Sequence, residues 1–207
     1  MKTPIPGKLP PPIPRDVGRT KPSVISLADM NRFMQESSRD YLARFGDRSD
    51  GANPYLNLVL PELIKRSSSP AQLEAWDKNV KELIDNYSAL RLGRHSDYVF
   101  GILTPLIRKT KTLADLQAWD KVVKSLVSDY KIKRLELCWC YVLCILPELI
   151  DRSSTAAELK AWDAAAKTVV SSVTDDKEDN IRRVIPKMIK QATNPNQLEA
   201  LSAFFSE

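Results

Sequence analysis

The sequence predicts an all-α fold, an α-solenoid of about four helical hairpins that follow one leading helix. Three observations support this prediction. A helix-forming stretch recurs along the chain, apolar residues between its copies recur at helical spacing, and a residue able to cap a helix N-terminus opens each copy. In every hairpin we call the first helix A and the second helix B, so the expected total is nine helices.

The recurring stretch begins at residues 69, 112 and 155, so successive copies lie 43 residues apart. The three copies read SPAQLEAWDKNVKELI, TLADLQAWDKVVKSLV and TAAELKAWDAAAKTVV. An equal step back reaches SLADMNRFM at residue 26, and a shorter step of 39 residues forward reaches NPNQLEALSAFF at residue 194. A period of this length indicates a tandem repeat whose unit is a helical hairpin.

Each copy is predicted to form a helix B, because it opens with a capping residue and continues with an apolar stripe. The third residue after the cap can complete a capping box. These pairs are Ser69 with Gln72, Thr112 with Asp115, Thr155 with Glu158, and Asn194 with Gln197.

Helix A is predicted before each helix B from apolar rows that align across the units at helical spacing. One row contains Leu56, Val99, Val142 and Ile181, and another contains Ile64, Ile107, Ile150 and Ile189. Pro61, Pro147 and Pro186 fall inside helix A, where Thr104 takes the equivalent place in the second unit. A proline within a helix removes one backbone hydrogen bond, which predicts a recurrent kink.

The predicted domain organisation is a tail over residues 1–25 and a repeat domain over residues 26–207. Seven of the fourteen prolines lie in the tail, which is therefore expected to be disordered or extended as polyproline II. The predicted units lie near residues 26–52, 53–94, 95–133, 134–175 and 176–207.

The period and the stretch LVLPELIKR at residues 58–66, with its proline inside helix A, resemble the HEAT/armadillo class of helical repeats. The resemblance covers residues 54–205. It implies a right-handed α-solenoid that binds other proteins along one face.

Charge and hydropathy restrict the classes of function. The tail has five basic residues against one acidic, which leaves 26 basic and 25 acidic residues in the repeat domain. Such near-neutrality disfavours nucleic-acid binding. The chain shows no secretory signal and no run of ~20 apolar residues, so we expect no membrane span. The predicted location is the cytoplasm, or a destination reached by export without a cleavable signal.

The tail contains a short proline motif. Lys8, Pro11 and Pro14 fit the pattern basic-x-x-Pro-x-x-Pro, and Pro10 to Arg15 fits Pro-x-x-x-Pro-Arg. Both patterns occur in ligands of SH3 domains, which accept a polyproline II helix. The alternative interpretation is a disordered leader without a partner.

Basic residues recur where helix A ends, and they suggest a second binding surface. They could complement the helix dipole, or they could form a basic ridge for an acidic partner. The ridge residues are Lys65, Arg66, Arg108, Lys109, Arg152 and Lys190.

No residue pattern predicts a catalytic or metal site. His95 is the only histidine, and it occupies the position equivalent to Cys138. Equivalent residues of neighbouring hairpins are ~8–10 Å apart, which is beyond hydrogen-bond reach. Cys140 and Cys144 lie in apolar surroundings, where a thiol behaves as a small hydrophobic group.

Two recurring patterns in helix B are given structural interpretations. Trp76, Trp119 and Trp162 are predicted to lie in the core. An aspartate four residues before a lysine is predicted to form a surface ion pair. These pairs are Asp77 with Lys81, Asp120 with Lys124, and Asp163 with Lys167.

The predicted function is a non-catalytic scaffold for protein–protein interaction, without a cofactor. A tail before helical repeats is similar to the layout of some bacterial effectors delivered into host cells, which implies action on host proteins. The alternatives are a nucleic-acid-binding α-solenoid and a cysteine-dependent enzyme.

Overall fold

The structure, a computed structural model, describes residues 25–46, 53–132, 138–174 and 176–205. Within these ranges all regular secondary structure is helical and no strand occurs, which confirms the all-α prediction and the number of helices. The nine helices are α1 (Leu27–Phe45), α2 (residues 55–66), α3 (Pro70–Ala89), α4 (residues 95–109), α5 (Leu113–Ile132), α6 (residues 138–152), α7 (Ala156–Ser172), α8 (residues 177–191) and α9 (residues 195–205).

The helices of each predicted type contact one another in chain order. Among the A helices, α2 contacts α4, α4 contacts α6, and α6 contacts α8. The B helices form a second series in which α1, α3, α5, α7 and α9 each contact the next. The helices α2, α4 and α6 each also contact the helix B that follows them. The apolar rows predicted from the sequence lie between these helices.

The predicted capping boxes are present at the start of the B helices. Asp115 N donates to Thr112 Oγ1 at 3.1 Å, and Thr112 N donates to Asp115 Oδ2 at 3.1 Å. Where the third residue after the cap has a longer side chain, that side chain bonds to the residue before the cap. Glu158, three residues after Thr155, accepts from Ser154 N through Oε2 at 2.7 Å. These bonds satisfy amide groups that a helix N-terminus leaves without an intrahelical partner.

Each helix A contains one π-helical turn, and a proline follows it. The turns are Tyr55–Val59, Val99–Leu103, Tyr141–Ile145 and Asn180–Val184. Each turn ends two residues before Pro61, Pro105, Pro147 or Pro186. Proline has no N–H and its ring crowds the carbonyl four residues earlier, so the preceding turn widens to bonds of the i→i−5 type.

The second unit follows the same rule with a shift of one residue. Pro105 stands one place later than the other three prolines, and its π-helical turn is displaced by one residue as well. Thr104, which occupies the usual proline position, donates its hydroxyl to Val99 O at 3.1 Å. The proline therefore determines the position of the turn.

Two neighbouring A helices approach each other closely at Gly101 in α4. A Cβ atom at this position would lie 2.3 Å from Val142 O of α6, which is inside the contact limit. Two of the three predicted core tryptophans, Trp76 and Trp162, are at most 3% exposed. Trp119, the third, is partly buried and packs against the same core.

Candidate functional site

The three aspartate–lysine pairs of the B helices are buried, so the prediction of surface ion pairs is wrong. All six side chains belong to residues that are at most 9% exposed. Lysine Nζ lies 2.9 Å from aspartate Oδ2 for Lys81 and Asp77. The same distance is 2.7 Å for Lys124 with Asp120 and 2.7 Å for Lys167 with Asp163.

A tyrosine from helix A completes each pair. Its hydroxyl donates to aspartate Oδ1, and the lysine Nζ lies 5.3 to 5.8 Å from the centre of its ring. We call these three sets the triads. They consist of Tyr55, Asp77 and Lys81; Tyr98, Asp120 and Lys124; and Tyr141, Asp163 and Lys167.

Each triad lysine also bonds to the preceding helix B. Lys124 Nζ donates to Leu83 O at 2.8 Å, and Lys167 Nζ donates to Leu126 O at 3.2 Å. In the first triad the helix before it supplies side chains instead, since Lys81 Nζ lies 3.0 Å from Ser37 Oγ and 2.8 Å from Asp40 Oδ2. The triads thus connect one unit to the next through hydrogen bonds.

The triad tyrosines are stacked on tyrosines of the preceding helix B. The ring centres of Tyr87 and Tyr98 are 4.4 Å apart, and those of Tyr130 and Tyr141 are 4.1 Å apart. Burial and, after it, the charge of Asp120 raise the pKa of Tyr98 well above its usual value of 10. Burial also raises the pKa of Asp120, and the attraction of Lys124 offsets only part of that rise.

The triads have the properties of structural groups. Each carboxylate accepts from both a hydroxyl and an ammonium group, which is how a buried charge is compensated. The sequence contains a signal for them that our interpretation missed. In all three units the tyrosine stands 22 residues before the aspartate, and this spacing predicts a contact between helices A and B.

Three residues of the basic ridge bond to the next helix A of the chain. Arg66 donates to the carbonyls of Arg108 and Thr110, and Lys109 Nζ donates to Asp151 O at 2.9 Å. Arg152 continues the series at α8, where it donates to Ile189 O at 3.1 Å and Ala192 O at 2.7 Å.

Arg66, Lys109 and Arg152 are equivalent in the repeat, because they follow one another at intervals of 43 residues. Each satisfies carbonyls that the C-terminus of a helix leaves open. This contact between units was not predicted from the sequence.

The other ridge residues form exposed ion pairs. Lys65 Nζ and Arg108 Nε lie 3.1 and 3.2 Å from Glu62 Oε1, and Lys190 Nζ lies 2.9 Å from Glu148 Oε1. Exposed pairs of this kind contribute ~0–1 kcal/mol each. Binding of an acidic partner along the ridge stays a prediction.

His95 packs beside aromatic rings, and burial lowers the reactivity of two of the cysteines, Cys140 and Cys144. The imidazole of His95 packs against Tyr41 and Phe45, with ring-centre distances of 6.4 and 5.6 Å. Cys140 is buried, and burial raises the pKa of its thiol to about 12. Burial also raises the pKa of Cys144. Because the thiolate is the reactive form, neither group is activated.

The described ranges contain no group of three or more His, Cys, Asp or Glu side chains arranged to hold a metal ion. No helix in these ranges combines the length and apolar character that a membrane crossing requires. The tail motif residues Lys8, Pro10, Pro11, Pro14 and Arg15 lie outside the described residues.

An exposed aromatic surface lies on two neighbouring A helices. Phe100 of α4 is 43% exposed and Trp139 of α6 is 41% exposed. The guanidinium carbon of Arg182, in α8, lies 5.4 Å from the centre of the Trp139 ring. Leu143, which is equivalent in the repeat to Phe100, is partly buried. We call these four residues the aromatic patch.

A hollow of about 570 Å³ lies beside the patch and is lined by Gly93, Arg94, Asp97, Trp139 and Leu143. Burial raises the pKa of Asp97 although Arg94 and His95 act in the opposite direction. The sequence did not distinguish Trp139 and Phe100 from core residues, because both lie in apolar stretches.

No family model, curated protein or solved structure matches this chain. The fold and the site define a class of protein: it is all-helical, and a tyrosine–aspartate–lysine triad recurs in three successive units.

Proposed function

We propose that this protein is a non-catalytic scaffold that binds another protein, built as an α-solenoid of helical hairpins. The contacts support the solenoid, because A helices follow A helices and B helices follow B helices in chain order. The recurring triads support it too, since they repeat the same bonds between successive units. Proteins of this architecture present extended surfaces for binding.

The observation that carries the proposal is the aromatic patch. Large apolar side chains are mostly buried in the described residues, yet Phe100 and Trp139 are exposed on adjacent helices. Tryptophan and arginine are the residues that most often dominate the free energy of protein–protein binding. Here Arg182 is stacked on Trp139 and thus held in place before a partner arrives. The patch is therefore the proposed contact surface.

Charge favours a protein partner over a nucleic acid. The repeat domain has 26 basic residues against 25 acidic ones. In addition, Arg66, Lys109 and Arg152 already donate to carbonyl groups of the chain. These three cations are therefore engaged within the chain, and the near-neutral balance gives little net attraction for phosphate groups, whose contacts supply most of the affinity for nucleic acids.

The tail extends the same proposal. A peptide of residues 5–20 is expected to bind at least one SH3 domain, and Pro11→Ala with Pro14→Ala should abolish binding. Lys8→Ala and Arg15→Ala distinguish the two motifs, because each motif requires only one of these cations. Delivery into a host cell stays a prediction that rests on the layout of the chain.

Affinity capture with matched variants tests the patch. The wild-type chain is compared with the double variant Phe100→Ser and Trp139→Ser, and with Leu27→Ser as a control at another exposed apolar residue. A partner retained by the control and lost by the double variant supports the proposal, once binding is repeated with both proteins purified. Equal capture by all three chains would show that the patch is not the binding surface. Circular dichroism verifies that each variant is folded.

A further inference from the structure

The apolar rows of helix A reveal an uncovered edge at the first unit. Val99, Val142 and Ile181 are at most 2% exposed. Their equivalent in α2, Leu56, is only partly buried. The second row behaves in the same way, because Ile107, Ile150 and Ile189 are fully buried whereas Ile64 is partly exposed.

The difference follows from the order of the helices. The helices α4, α6 and α8 each contact a preceding helix A, and both rows are buried in all three. No helix A precedes α2 among the described residues. A preceding helix A thus covers the apolar rows of α4, α6 and α8, whereas no described helix A covers the equivalent rows of α2.

A hollow of about 590 Å³ lies at this edge, between α1 and α2. Its apolar wall is formed by Met34, Leu42 and Leu56, and its rim carries Asn31, Gln35 and Arg39. In the later units, a helix A packs between its own helix B and the next helix A. The hollow has the corresponding position, since α1 is a helix B and α2 is the next helix A.

The C-terminus of α2 likewise has carbonyl groups that receive no hydrogen bond from a preceding helix A in the described ranges. Arg66, Lys109 and Arg152 each bond to carbonyls at the end of the next helix A. The carbonyls of Lys65 and Ser67 are equivalent to those that accept from Arg66 in the next unit. No side chain of the described ranges donates to them from a preceding helix A.

The sequence of the tail is unsuited to supply this helix. One period before α2 lie residues 12–23, which contain three prolines and Gly18. Such a composition strongly disfavours an α-helix. At the position equivalent to Arg66 stands Ser23, which lies outside the described residues and has no cationic group.

A second copy of the chain is also unsuited to cover the edge in head-to-tail fashion. The residues of α8 that would face it are equivalent to Leu58, Glu62 and Arg66 of α2. In α8 these positions are exposed Arg183, Lys187 and Gln191. Two cations and an amide would meet an apolar wall whose rim already contains Arg39, which is unfavourable.

We propose that the uncovered edge of α1 and α2 binds one amphipathic α-helix of a partner protein. The bound helix takes the place of a preceding helix A. It presents apolar residues at helical spacing to Met34, Leu42 and Leu56, and an arginine or lysine near its C-terminus to the carbonyls of Lys65 and Ser67. This inference goes beyond the aromatic patch, because it concerns other residues at another edge of the molecule.

The probe for the test is a fluorescent peptide of residues 53–68 of this chain, which contain the helix that covers the equivalent row of α4. Fluorescence anisotropy measures its binding to the full-length protein. We expect saturable binding of the peptide to the wild-type protein. The substitution Leu56→Asp in the full-length protein, with the peptide unchanged, should weaken this binding by at least about tenfold, because a charge replaces an apolar contact. Met34→Asp on α1 should have a similar effect, whereas Leu90→Asp, at an exposed leucine outside both proposed surfaces, should have none. A peptide with Arg66→Ala should bind more weakly.

Three results would overturn the proposal. The first is the absence of saturable binding, or equal binding to the wild type and to both folded edge variants. The second is peptide binding that appears only after Leu9→Asp and Ile13→Asp are introduced in the tail of the full-length protein. Such a result would mean that the tail occupies the edge in the wild type. The third is dimerisation that Leu56→Asp abolishes, which would make a second copy the occupant. Circular dichroism and the Leu90→Asp control separate loss of folding from loss of binding.

Discussion

The three units with triads and the unit that contains α8 and α9 carry different residues at equivalent sequence positions. In the three units with triads, a tyrosine of helix A bonds to a buried aspartate and lysine of helix B. At the equivalent positions of the unit that contains α8 and α9, the residues are Asn180 and Ser202. In α8, which no helix A follows in the described ranges, Arg183, Lys187 and Gln191 are exposed. Buried charge thus occurs where one described unit meets the next, and exposed charge occurs at the α8 positions that no described helix A covers.

This comparison indicates why ionisable groups are placed in the core. A buried ion pair often stabilises less than apolar residues of the same size. It does, however, require one particular arrangement, because a shifted helix would leave the lysine and aspartate unpaired. We infer that the triads define how successive units stack, and four measurements test the difference between the interior and the ends.

The largest expected effect is unfolding at alkaline pH. Burial raises the pKa of Tyr98 and Tyr55 well above 10, and it raises the pKa of Tyr41 to about 12. The folded protein therefore retains protons that the unfolded chain releases above about pH 10. Stability from these groups is complete below that pH and is lost as the pH rises through the folded-state values. Tyrosinate absorbance and circular dichroism should change together, and Tyr98→Phe should make the loss less steep.

Removal of one triad charge should have the next largest effect. Asp120→Ala leaves Lys124 buried without its counter-ion, so the free energy of unfolding should fall by ~3–5 kcal/mol. The exposed Asp85→Ala provides the control and should change it by less than about 0.5 kcal/mol. Denaturant unfolding measures both. If the triple change Tyr98→Phe, Asp120→Asn and Lys124→Met restores stability, the cost belongs to the unpaired charge.

Core packing should matter more in the interior than at the first helix. Trp162→Ala removes a fully packed side chain, and the expected loss is ~3–5 kcal/mol. Phe33→Ala in α1 should cost less, because Phe33 is only partly buried and its helix has neighbours on one side. Thermal and denaturant unfolding of both variants provide the comparison. Equal losses would contradict the distinction between interior and end.

The smallest expected effect concerns the cations at the ends of the A helices. Arg152→Ala removes the donor to the carbonyls of Ile189 and Ala192, and should cost about 1 kcal/mol. Gln191→Ala changes the equivalent residue of α8, which has no following helix A in the described ranges, and should cost nothing measurable. The difference between the two unfolding free energies measures the contact between units. A loss at Gln191 as large as at Arg152 would argue against this contact.

The prolines illustrate how far sequence reasoning reaches. The recurrence of Pro61, Pro147 and Pro186 predicted a repeated irregularity in helix A, and a π-helical turn precedes each of them. The type of irregularity was not predictable, because a lost hydrogen bond can be accommodated by a kink or by a wider turn. Pro105 shows the dependence directly, since its shift of one residue moves the turn by one residue.

Local sequence was sufficient for the helices, their order and the apolar rows. These features depend on capping residues such as Thr112 and on side-chain spacing within one helix, and both can be read without knowledge of the neighbours. The burial of Lys124 and the exposure of Trp139 required the packed structure. Spacing places a side chain on one side of its helix, but whether that side meets protein or water depends on the next helix in space.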